Sequence, residues 1–251
     1  MTILQKMKDA AIRAGFEPWL RPVSELLVGR KLDQDDLAAF RLIEGLAKDA
    51  ICVDVGCHKG KFLDAMRRAA PNGRFFAFEP IPYLYDLLKS KYRADARVRV
   101  FNYALSSSDG EATFYVNERD MGLSGLSARR ERLGEDPLTK VGAVLRTLDG
   151  VLGDQRVDLI KIDVEGAEYD VLQGARAILA RFRPRILFEF GRGGAEYFGV
   201  DADAMFQFLD RAGYNVFTME NVTPGGALTI EAFRDCFERN THYNFVAAPR
   251  R

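Results

Sequence analysis

The segment Ile51–Gly60, with the sequence ICVDVGCHKG, constrains the fold of this chain more than any other. A short apolar run ends in an acid and a glycine, a second glycine follows, and an amphipathic segment begins at Phe62. A second apolar run ends at Glu79, nineteen residues after Gly60. This order predicts a strand, a tight turn, a helix and a second strand. Ligands of open parallel sheets bind beyond the carboxyl ends of the strands, where an acid can accept hydrogen bonds from ribose hydroxyls. The segment therefore predicts a site for a nucleoside-bearing cofactor.

Strand and helix patterns alternate along the chain after residue 50, which predicts an α/β fold with a mostly parallel sheet and helices on both faces. The predicted strands are Ile51–Val55, Arg74–Glu79, Val98–Tyr103, Ala112–Val116, Val157–Ile162, Arg185–Phe190, Tyr214–Met219 and Asn244–Ala248. The predicted helices are Phe62–Ala70, Tyr83–Tyr92, one containing Val171–Leu179, and Ala202–Ala212. Asn117–Lys140 lacks periodicity and is interpreted as a long loop that could close over an acceptor. The segment between the last two strands is interpreted as variable.

Residues 1–49 are predicted to form a separate N-terminal helical extension, with residues 50–251 as the catalytic domain. Apolar residues from Ile3 to Ile12 share one helical face, and Asp35–Leu46 is a second predicted helix. Such an extension can pack against the sheet, cover the site as a lid, or form a homodimer surface. The sequence leaves these alternatives open.

The charge balance gives no support for a nucleic-acid or membrane partner. The 251 residues hold 36 basic and 36 acidic side chains, so no net field favours an anionic surface. No apolar run approaches the roughly 20 residues of a membrane span, and charges interrupt the N-terminus where a signal peptide is apolar. We therefore expect a cytoplasmic protein. The three cysteines show no metal-ligand spacing.

The first turn distinguishes between cofactors. Dinucleotide sites usually require G-x-G-x-x-G and phosphate loops require G-K-[ST], and neither motif follows Gly56. The turn therefore favours a ligand with a ribose and no phosphates, and S-adenosylmethionine fits. Its carboxylate can lie at the turn amides and the helix N-terminus, and its ribose can meet Glu79. Asp54, Gly56, Gly60 and Glu79 form this predicted site.

A second group of charged residues follows the central strand in the run KIDVEGAE, from Lys161 to Glu168. Lys161 and Asp163 should point the same way, because alternate residues of a strand share a face. Glu165 and Glu168 should lie at the start of the next helix, where acids can simply cap it. Glu189 ends the following strand between two phenylalanines, which core packing alone explains poorly.

Taken together, these motifs resemble the FkbM family of S-adenosylmethionine-dependent methyltransferases. The resemblance covers about residues 50–191. It rests on Val53–Gly60, Phe78–Pro80, Asn102–Ser106, Gly122–Leu126, Arg146–Asp149, Ile160–Glu168 and Phe188–Phe190. One difference is the Cys57-His58-Lys59 turn, where the family often has asparagine.

The resemblance implies a Rossmann-like fold with a seven-stranded sheet containing one antiparallel strand. It also implies O-methylation of a hydroxyl on a glycan, sugar or natural product. By analogy, the cofactor would be surrounded by Asp54, Gly56, His58, Gly60, Glu79 and Pro80, with Asn102 and Ala104 at the adenine and Asp163 at the methionine end.

A hydroxyl acceptor is a weak nucleophile, so a base should assist its methylation. The candidates are Asp163, Glu165 and Glu189, with Lys161 orienting one of them; His58 is a rival. The carboxylates could instead hold Mg²⁺, although no ligand spacing demands a metal. Ser124 and Glu168 are the predicted acceptor contacts.

Other activities remain open at this point. The acceptor could be an amine or a protein, and the chain could be a non-catalytic cofactor-binding module. A dehydrogenase is disfavoured by the missing glycines. A nucleic-acid methyltransferase lacks a basic stripe with interleaved aromatics.

Overall fold

The computed structural model describes residues 34–117, 124–126 and 138–250. By its internal contacts the chain divides into residues 1–37 and a compact unit, Ala38–Arg251, and the architecture below is that of the compact unit. The predicted helix within residues 3–12 lies outside the described residues. The predicted domain boundary at residue 49 stays a prediction.

The strands of the described residues agree closely with the predicted ones around the first turn. They are β1 (Ile51–Val55), β2 (Arg74–Phe78), β3 (Val98–Phe101), β4 (Ala104–Leu105), β5 (Gly110–Asn117), β6 (Leu138–Arg146), β7 (Leu159–Ile162), β8 (Arg185–Glu189), β9 (Tyr214–Thr218) and β10 (Asn244–Pro249).

The helices alternate with these strands. They are α1 (Gln34–Glu44), α2 (Lys61–Ala69), α3 (Pro82–Tyr92), α4 (Leu148–Leu152), α5 (Glu168–Gln173), α6 (Arg176–Phe182), α7 (Ala202–Arg211) and α8 (Ile230–Arg239), with a short 3-10 helix at Ala195–Phe198. Within the described ranges, no helix is long and apolar enough to cross a bilayer.

The main sheet has seven described strands in the order β3-β2-β1-β7-β8-β10-β9. All neighbours are parallel except β10, which runs antiparallel to both β8 and β9. This arrangement confirms the predicted mostly parallel seven-stranded sheet with one antiparallel strand. Val55 lies opposite Phe78 on one side and Ile162 on the other. The chain order reverses between β1 and β7, and the crevice at such a switch point is where open α/β sheets bind ligands.

Side-chain alternation in β1 explains why every residue of this strand is buried. Ile51, Val53 and Val55 face one apolar cluster, to which α4–α8 contribute, while Cys52 faces another, built with α1–α3. A parallel strand covered on both faces carries an apolar run rather than an alternating pattern. Asp54 lies on the second face and is fully buried, so its charge requires compensation.

A second sheet, not predicted from the sequence, stands beside the first in the order β4-β6-β5. The antiparallel pair β5–β6 extends from the Gly110–Leu145 pair to the Asn117–Leu138 pair. The predicted loop Asn117–Lys140 was therefore wrong at both ends, because Asn117 belongs to β5 and Leu138–Lys140 belong to β6. Ser124–Leu126 are described, and Gly125 exchanges backbone hydrogen bonds with Tyr115. The rest of the predicted loop lies outside the described residues.

Three further local predictions need correction. The segment interpreted as variable contains α8, whose Thr229 side chain accepts a hydrogen bond from the Ala232 N–H and caps the helix. The helix predicted over Val171–Leu179 is divided at Gly174, which packs too tightly against the Ser106 carbonyl for any side chain. Glu165 lies in a turn before α5, with φ of 60°, rather than at the start of that helix.

Candidate active site

The turn between β1 and α2 is fixed by backbone contacts to both neighbouring strands. The N–H groups of Gly56 and Cys57 both donate to the carbonyl of Phe78, at 3.0 and 3.2 Å. Gly56, His58 and Gly60 all have positive φ, of 72°, 50° and 78°. A Cβ on Gly56 would lie 1.8 Å from the Asp163 carbonyl oxygen. The turn therefore requires glycine at position 56 for conformation and for space.

Glu79 joins this turn to the next one. Its Oε2 accepts a hydrogen bond from the His58 N–H at 2.8 Å, and its Oε1 accepts one from the Ile81 N–H at 3.1 Å. The residue is 4% exposed, and this burial raises the pKa of its carboxyl to about 7, against the lowering effect of those two amides. Each oxygen keeps a lone pair for a further donor.

Asn102, directly after β3, fixes the backbone that follows β2. Its Nδ2 donates to the carbonyls of Glu79 and Pro80, at 2.9 and 3.0 Å. Asn102 therefore positions the backbone that carries Glu79, whatever else its side chain contacts.

Lys161 lies beneath the switch point and ties β1 to the turn after β7. Its Nζ donates to the Gly56 carbonyl and to Asp163 Oδ2, each at 3.2 Å, and lies 3.6 Å from Asp54 Oδ1. Burial lowers the pKa of the ammonium, but Asp163 and Asp54 outweigh this effect and raise it above its usual value. Lys161 is therefore a buried cation at neutral pH, and its predicted alignment with Asp163 is confirmed.

Asp54 is the fully buried member of this group. Burial raises the pKa of its carboxyl, while Lys161 and Cys57 oppose that rise. A buried carboxylate is stable only when a counter-charge compensates its lost hydration. Lys161 supplies that charge, directly opposite Asp54 in the β1–β7 register.

A cleft of about 740 Å³, including its open mouth, lies beyond the carboxyl ends of β1, β2 and β7; we call it the first cleft. Many of the predicted site residues line it: Gly56, His58, Glu79, Pro80, Ala104, Ser124, Asp163 and Glu165. Asp54, Gly60, Asn102 and Lys161 are not in its lining and lie behind it as supports. The structure thus brings residues from distant parts of the chain into one wall.

The apolar part of the first cleft was not predicted as a site. It is formed by Val55, Phe78, Tyr103, Leu105, Phe114, Leu126, Val164 and Ala167. Tyr103 stacks against Phe101, with ring centroids 5.9 Å apart. Tyr103 and Leu126 fall within the motifs singled out above, whereas Phe114 belongs to the unpredicted second sheet and carried no signal.

A second cleft of about 680 Å³ adjoins the first and shares Glu165 with it. Its lining is Glu165, Gly166, Glu168, Glu189, Phe190, Gly191, Arg192, Gly194, Asn240 and Tyr243. The predicted residues Glu168 and Glu189 therefore lie here rather than in the first cleft. Arg192, Asn240 and Tyr243 were missed, because they belong to loops without a recognisable motif.

The two inner acids of the second cleft are protonated more readily than free carboxyls. Burial, reinforced by the charges of Asp163, Glu165 and Glu168, raises the pKa of Glu189 well above its usual value. Burial also raises the pKa of Glu168 to about 7, although its Oε1 accepts hydrogen bonds from the Val164 and Gly166 N–H groups. These bonds place Glu168 as a brace for the turn that carries Glu165.

In the part of the chain that the structure describes, no three His, Cys, Asp or Glu side chains are grouped as metal ligands would be.

A sheet of this order, with helices on both faces and a cleft at its switch point, defines the Rossmann-like class of α/β proteins. Residues 54–216 match the model of the methyltransferase FkbM domain, so the chain belongs to the FkbM methyltransferase family.

Named relatives share parts of this chain. It is 32% identical over 207 residues to the AMB antimetabolite synthetase AmbE of Pseudomonas aeruginosa, a match over 68% of this chain and 10% of that protein. It is 31% identical over 164 residues to the methyltransferase sdnD of Sordaria araneosa, over 53% of this chain and 62% of the relative. The match thus spans less than two thirds of either relative. The 2-O-methyltransferase NoeI of Sinorhizobium fredii is 27% identical, over 63% of this chain and 72% of NoeI.

The fold itself has a solved counterpart. The crystal structure of an FkbM methyltransferase from Methylobacillus flagellatus superposes with a TM-score of 0.50 at 15% identity, covering 81% of this chain and 44% of that one. This likeness shows the Rossmann-like methyltransferase fold.

Proposed function

We propose that this chain is an S-adenosylmethionine-dependent O-methyltransferase that acts on a hydroxyl of a sugar, a glycan or a natural product. The observation that carries the proposal is the Glu79 carboxylate, which lies in the wall of the first cleft and keeps a lone pair on each oxygen after accepting two backbone amides. Two adjacent ribose hydroxyls can each donate a hydrogen bond to one oxygen of such a carboxylate.

The remaining wall fits the same cofactor. Gly56, whose missing side chain lets the turn pack against the Asp163 carbonyl, and His58 would border the amino-acid end together with Asp163. Pro80, Ala104 and the apolar residue Phe114 would enclose the base. Neither a G-x-G-x-x-G turn nor a phosphate loop is present, so the residues give no support for a pyrophosphate-bearing ligand.

When bound, S-adenosylmethionine supplies an electrophilic methyl group on a sulfonium. The chain must then orient the acceptor hydroxyl and receive its proton. Lys161 Nζ donates a hydrogen bond to Asp163 Oδ2. Asp163 Oδ1, at the wall of the first cleft, is then the oxygen that can accept the proton of the acceptor hydroxyl. Glu165, at the junction of the two clefts, is the second candidate for this role.

An oxygen acceptor is favoured by the name of one relative, and a sugar acceptor by the name of another. NoeI is called a 2-O-methyltransferase, and AglP of Haloferax volcanii, 30% identical over 142 residues, is called a hexuronic acid methyltransferase. The cluster of carboxylates supports the same choice, because an amine acceptor requires less base assistance.

Calorimetric titration tests the cofactor, with S-adenosylmethionine and S-adenosylhomocysteine as ligands and NAD as the control. We expect Glu79→Ala to weaken binding by roughly 10- to 100-fold, the range for a lost hydrogen bond to a charged group. Glu111→Ala, which changes an exposed glutamate on β5, should bind as the wild type does. If the wild-type protein bound neither S-adenosylmethionine nor S-adenosylhomocysteine, the proposal would be refuted.

Product formation tests the chemistry. Full turnover by both Asp163→Asn and Glu165→Gln on a hydroxyl acceptor would contradict the base assignment. Activity lost with EDTA and restored by Mg²⁺ would favour a metal instead. Cofactor binding without product across a broad acceptor panel would favour a binding module.

A further inference from the structure

The helix α3 connects two parts of the cofactor site that lie far apart in the sequence. It starts at Pro82, just after Glu79, whose Oε1 accepts a hydrogen bond from the Ile81 N–H at 3.1 Å. Its last residue, Tyr92, lies against Gly60, at the end of the turn between β1 and α2. One helix is therefore joined to the acid proposed for the ribose and to the turn proposed for the amino-acid end.

The hydroxyl of Tyr92 makes the contact at the far end of α3. The residue is 5% exposed, and its Oη lies 3.2 Å from the Gly60 carbonyl oxygen and 2.9 Å from Asp64 Oδ1. The single hydroxyl proton can be donated to either oxygen. Burial, together with the hydrogen bond to Asp64, raises the pKa of the phenol above its usual value, so the proton is retained. The Asp64 N–H donates to the same Gly60 carbonyl at 3.0 Å, which ties the phenol to the first turn of α2.

The same hydroxyl occupies the space where a side chain at position 60 would lie. Gly60 has φ of 78°, and a Cβ on it would be 2.3 Å from Tyr92 Oη, whereas the next nearest atom, Leu88 Cδ2, would be 3.1 Å away. The missing side chain thus lets the phenol reach the backbone at which α2 begins. The position of that backbone is therefore set partly by α3 and not by the turn alone.

A second donor on α3 reaches the same turn. Lys91 Nζ donates to the Lys59 carbonyl at 2.9 Å and to Asp64 Oδ2 at 2.6 Å. Two consecutive residues of α3 thus hold two consecutive carbonyls, those of Lys59 and Gly60. Lys91 is exposed, and exposed ion pairs contribute little to stability, so the buried Tyr92 hydroxyl is the stronger of the two restraints.

We propose that Tyr92 is a positioning residue for the cofactor, which fixes Gly60 and the start of α2 and thereby stabilises binding of the amino-acid end of S-adenosylmethionine. The proposal rests on the proposed function, in which that end lies at the turn and the ribose lies at Glu79. Tyr92 is not among the residues that line the first cleft, so its effect reaches the ligand through the backbone. Removal of the hydroxyl should therefore affect one end of the ligand and spare the other.

Calorimetric titration of the full chain with two ligands tests this role. S-adenosylhomocysteine carries the amino-acid end, whereas 5′-methylthioadenosine has the same adenosine and sulfur but lacks that end. We expect Tyr92→Phe, which keeps the ring, to weaken S-adenosylhomocysteine binding roughly 3- to 10-fold, the range for one lost hydrogen bond. Binding of 5′-methylthioadenosine should stay within about twofold of the wild type. Glu79→Ala should weaken both ligands, because both carry the ribose.

Two further variants test the role of the hydroxyl itself. Tyr85→Phe removes a hydroxyl from the middle of the same helix, away from the lining of the first cleft, and should leave both affinities unchanged. The contact with Gly60 can also be measured without a ligand, by urea unfolding. Gly60→Ala should destabilise the protein less in the Tyr92→Phe background than in the wild type, because phenylalanine lacks the atom nearest to the added Cβ.

The outcomes separate this proposal from the proposed function. Failure of the wild type to bind S-adenosylhomocysteine would refute the proposed function and, with it, the role of Tyr92. If the wild type binds this ligand, three results would overturn the role of Tyr92 alone. These are an unchanged affinity in Tyr92→Phe, an equal loss for both ligands, and an equal cost of Gly60→Ala in the two backgrounds.

Discussion

Gly56 packs directly against the main-chain carbonyl of Asp163, so that a Cβ at position 56 would come within 1.8 Å of that oxygen. The contact joins the turn after β1 to the turn after β7. These two turns form adjacent walls of the first cleft. The separation of the walls is therefore set by the absence of one side chain.

Gly56→Ala should destabilise the protein and reduce cofactor affinity together. The left-handed conformation alone costs about 1–2 kcal/mol for alanine, and the collision with a backbone atom adds to it. Gly199→Ala is a matched control, because Gly199 has the left-handed conformation, with φ of 67°, and no atom of the described residues would lie within 4 Å of a Cβ added there. Urea unfolding should show a clearly larger loss for Gly56→Ala. Equal losses would mean that the contact with Asp163 is not constraining.

Lys161→Met should be strongly destabilising, because it leaves Asp54 and Asp163 without their shared cation. Removing one partner of a buried ion pair typically costs about 3–5 kcal/mol. Lys89→Met, on an exposed face of α3, serves as the control and should change the unfolding free energy little. Adding Asp54→Asn to Lys161→Met should restore part of the loss. A double variant no more stable than the single one would contradict this charge compensation.

Glu168→Gln should make stability less dependent on pH. The pKa of Glu168 is raised from 4.5 to about 7 by burial, so the folded state binds a proton that the unfolded state releases. The stabilisation from this group is therefore complete below pH 4.5 and is lost as the pH rises through 7. The glutamine variant keeps an oxygen for the Val164 and Gly166 amides. The unfolding free energy of the variant minus that of the wild type should therefore increase by up to about 3 kcal/mol between pH 4.5 and pH 7. A constant difference would refute the prediction.

Asn102→Ala should weaken cofactor binding without touching the Glu79 side chain. The variant loses the two hydrogen bonds to the carbonyls of Glu79 and Pro80 and frees the end of β2. Each bond contributes roughly 0.5–1.5 kcal/mol, so calorimetry should show affinity lowered about tenfold and unfolding free energy lowered by about 1–2 kcal/mol. Asn215→Ala, on the exposed side of β9, is the control. If Asn102→Ala bound the cofactor as tightly as the wild type does, Asn102 would have no role in positioning Glu79.

The strands around the switch point could be predicted because local sequence determines them. Ile51–Val55 is an apolar run bounded by a glycine, and its predicted and observed limits agree. Asp54 was identifiable from its place before the first glycine, and Lys161 because a lysine in such a strand requires a partner. The β1–β7 register then places the two opposite each other. Local patterns thus gave the central part of the sheet and the floor of the site.

The outer parts of the site depend on long-range contacts that leave no periodic signal. Phe114 reaches the first cleft only because β5 pairs with β6, and Tyr243 reaches the second because its carbonyl bonds to Phe190. The α8 helix did have signals, a Thr229 cap and phenylalanines four residues apart at 233 and 237. These signals were overlooked because the helix is rich in charged residues and its segment contains no motif.

The position of β10 between β8 and β9 has a consequence for how the protein is made. Synthesis from the amino end produces β9 before β10, yet β9 joins the described sheet through β10. Until Asn244–Pro249 has emerged from the ribosome, the apolar residues Val216 and Phe217 lack their strand partners, Ala247 and Val246. A nascent chain that has not yet delivered β10 therefore presents Val216 and Phe217 on an unpaired strand edge, which can pair with another chain. Tyr243 immediately precedes that strand, so the same few residues that complete the sheet also complete the wall of the second cleft.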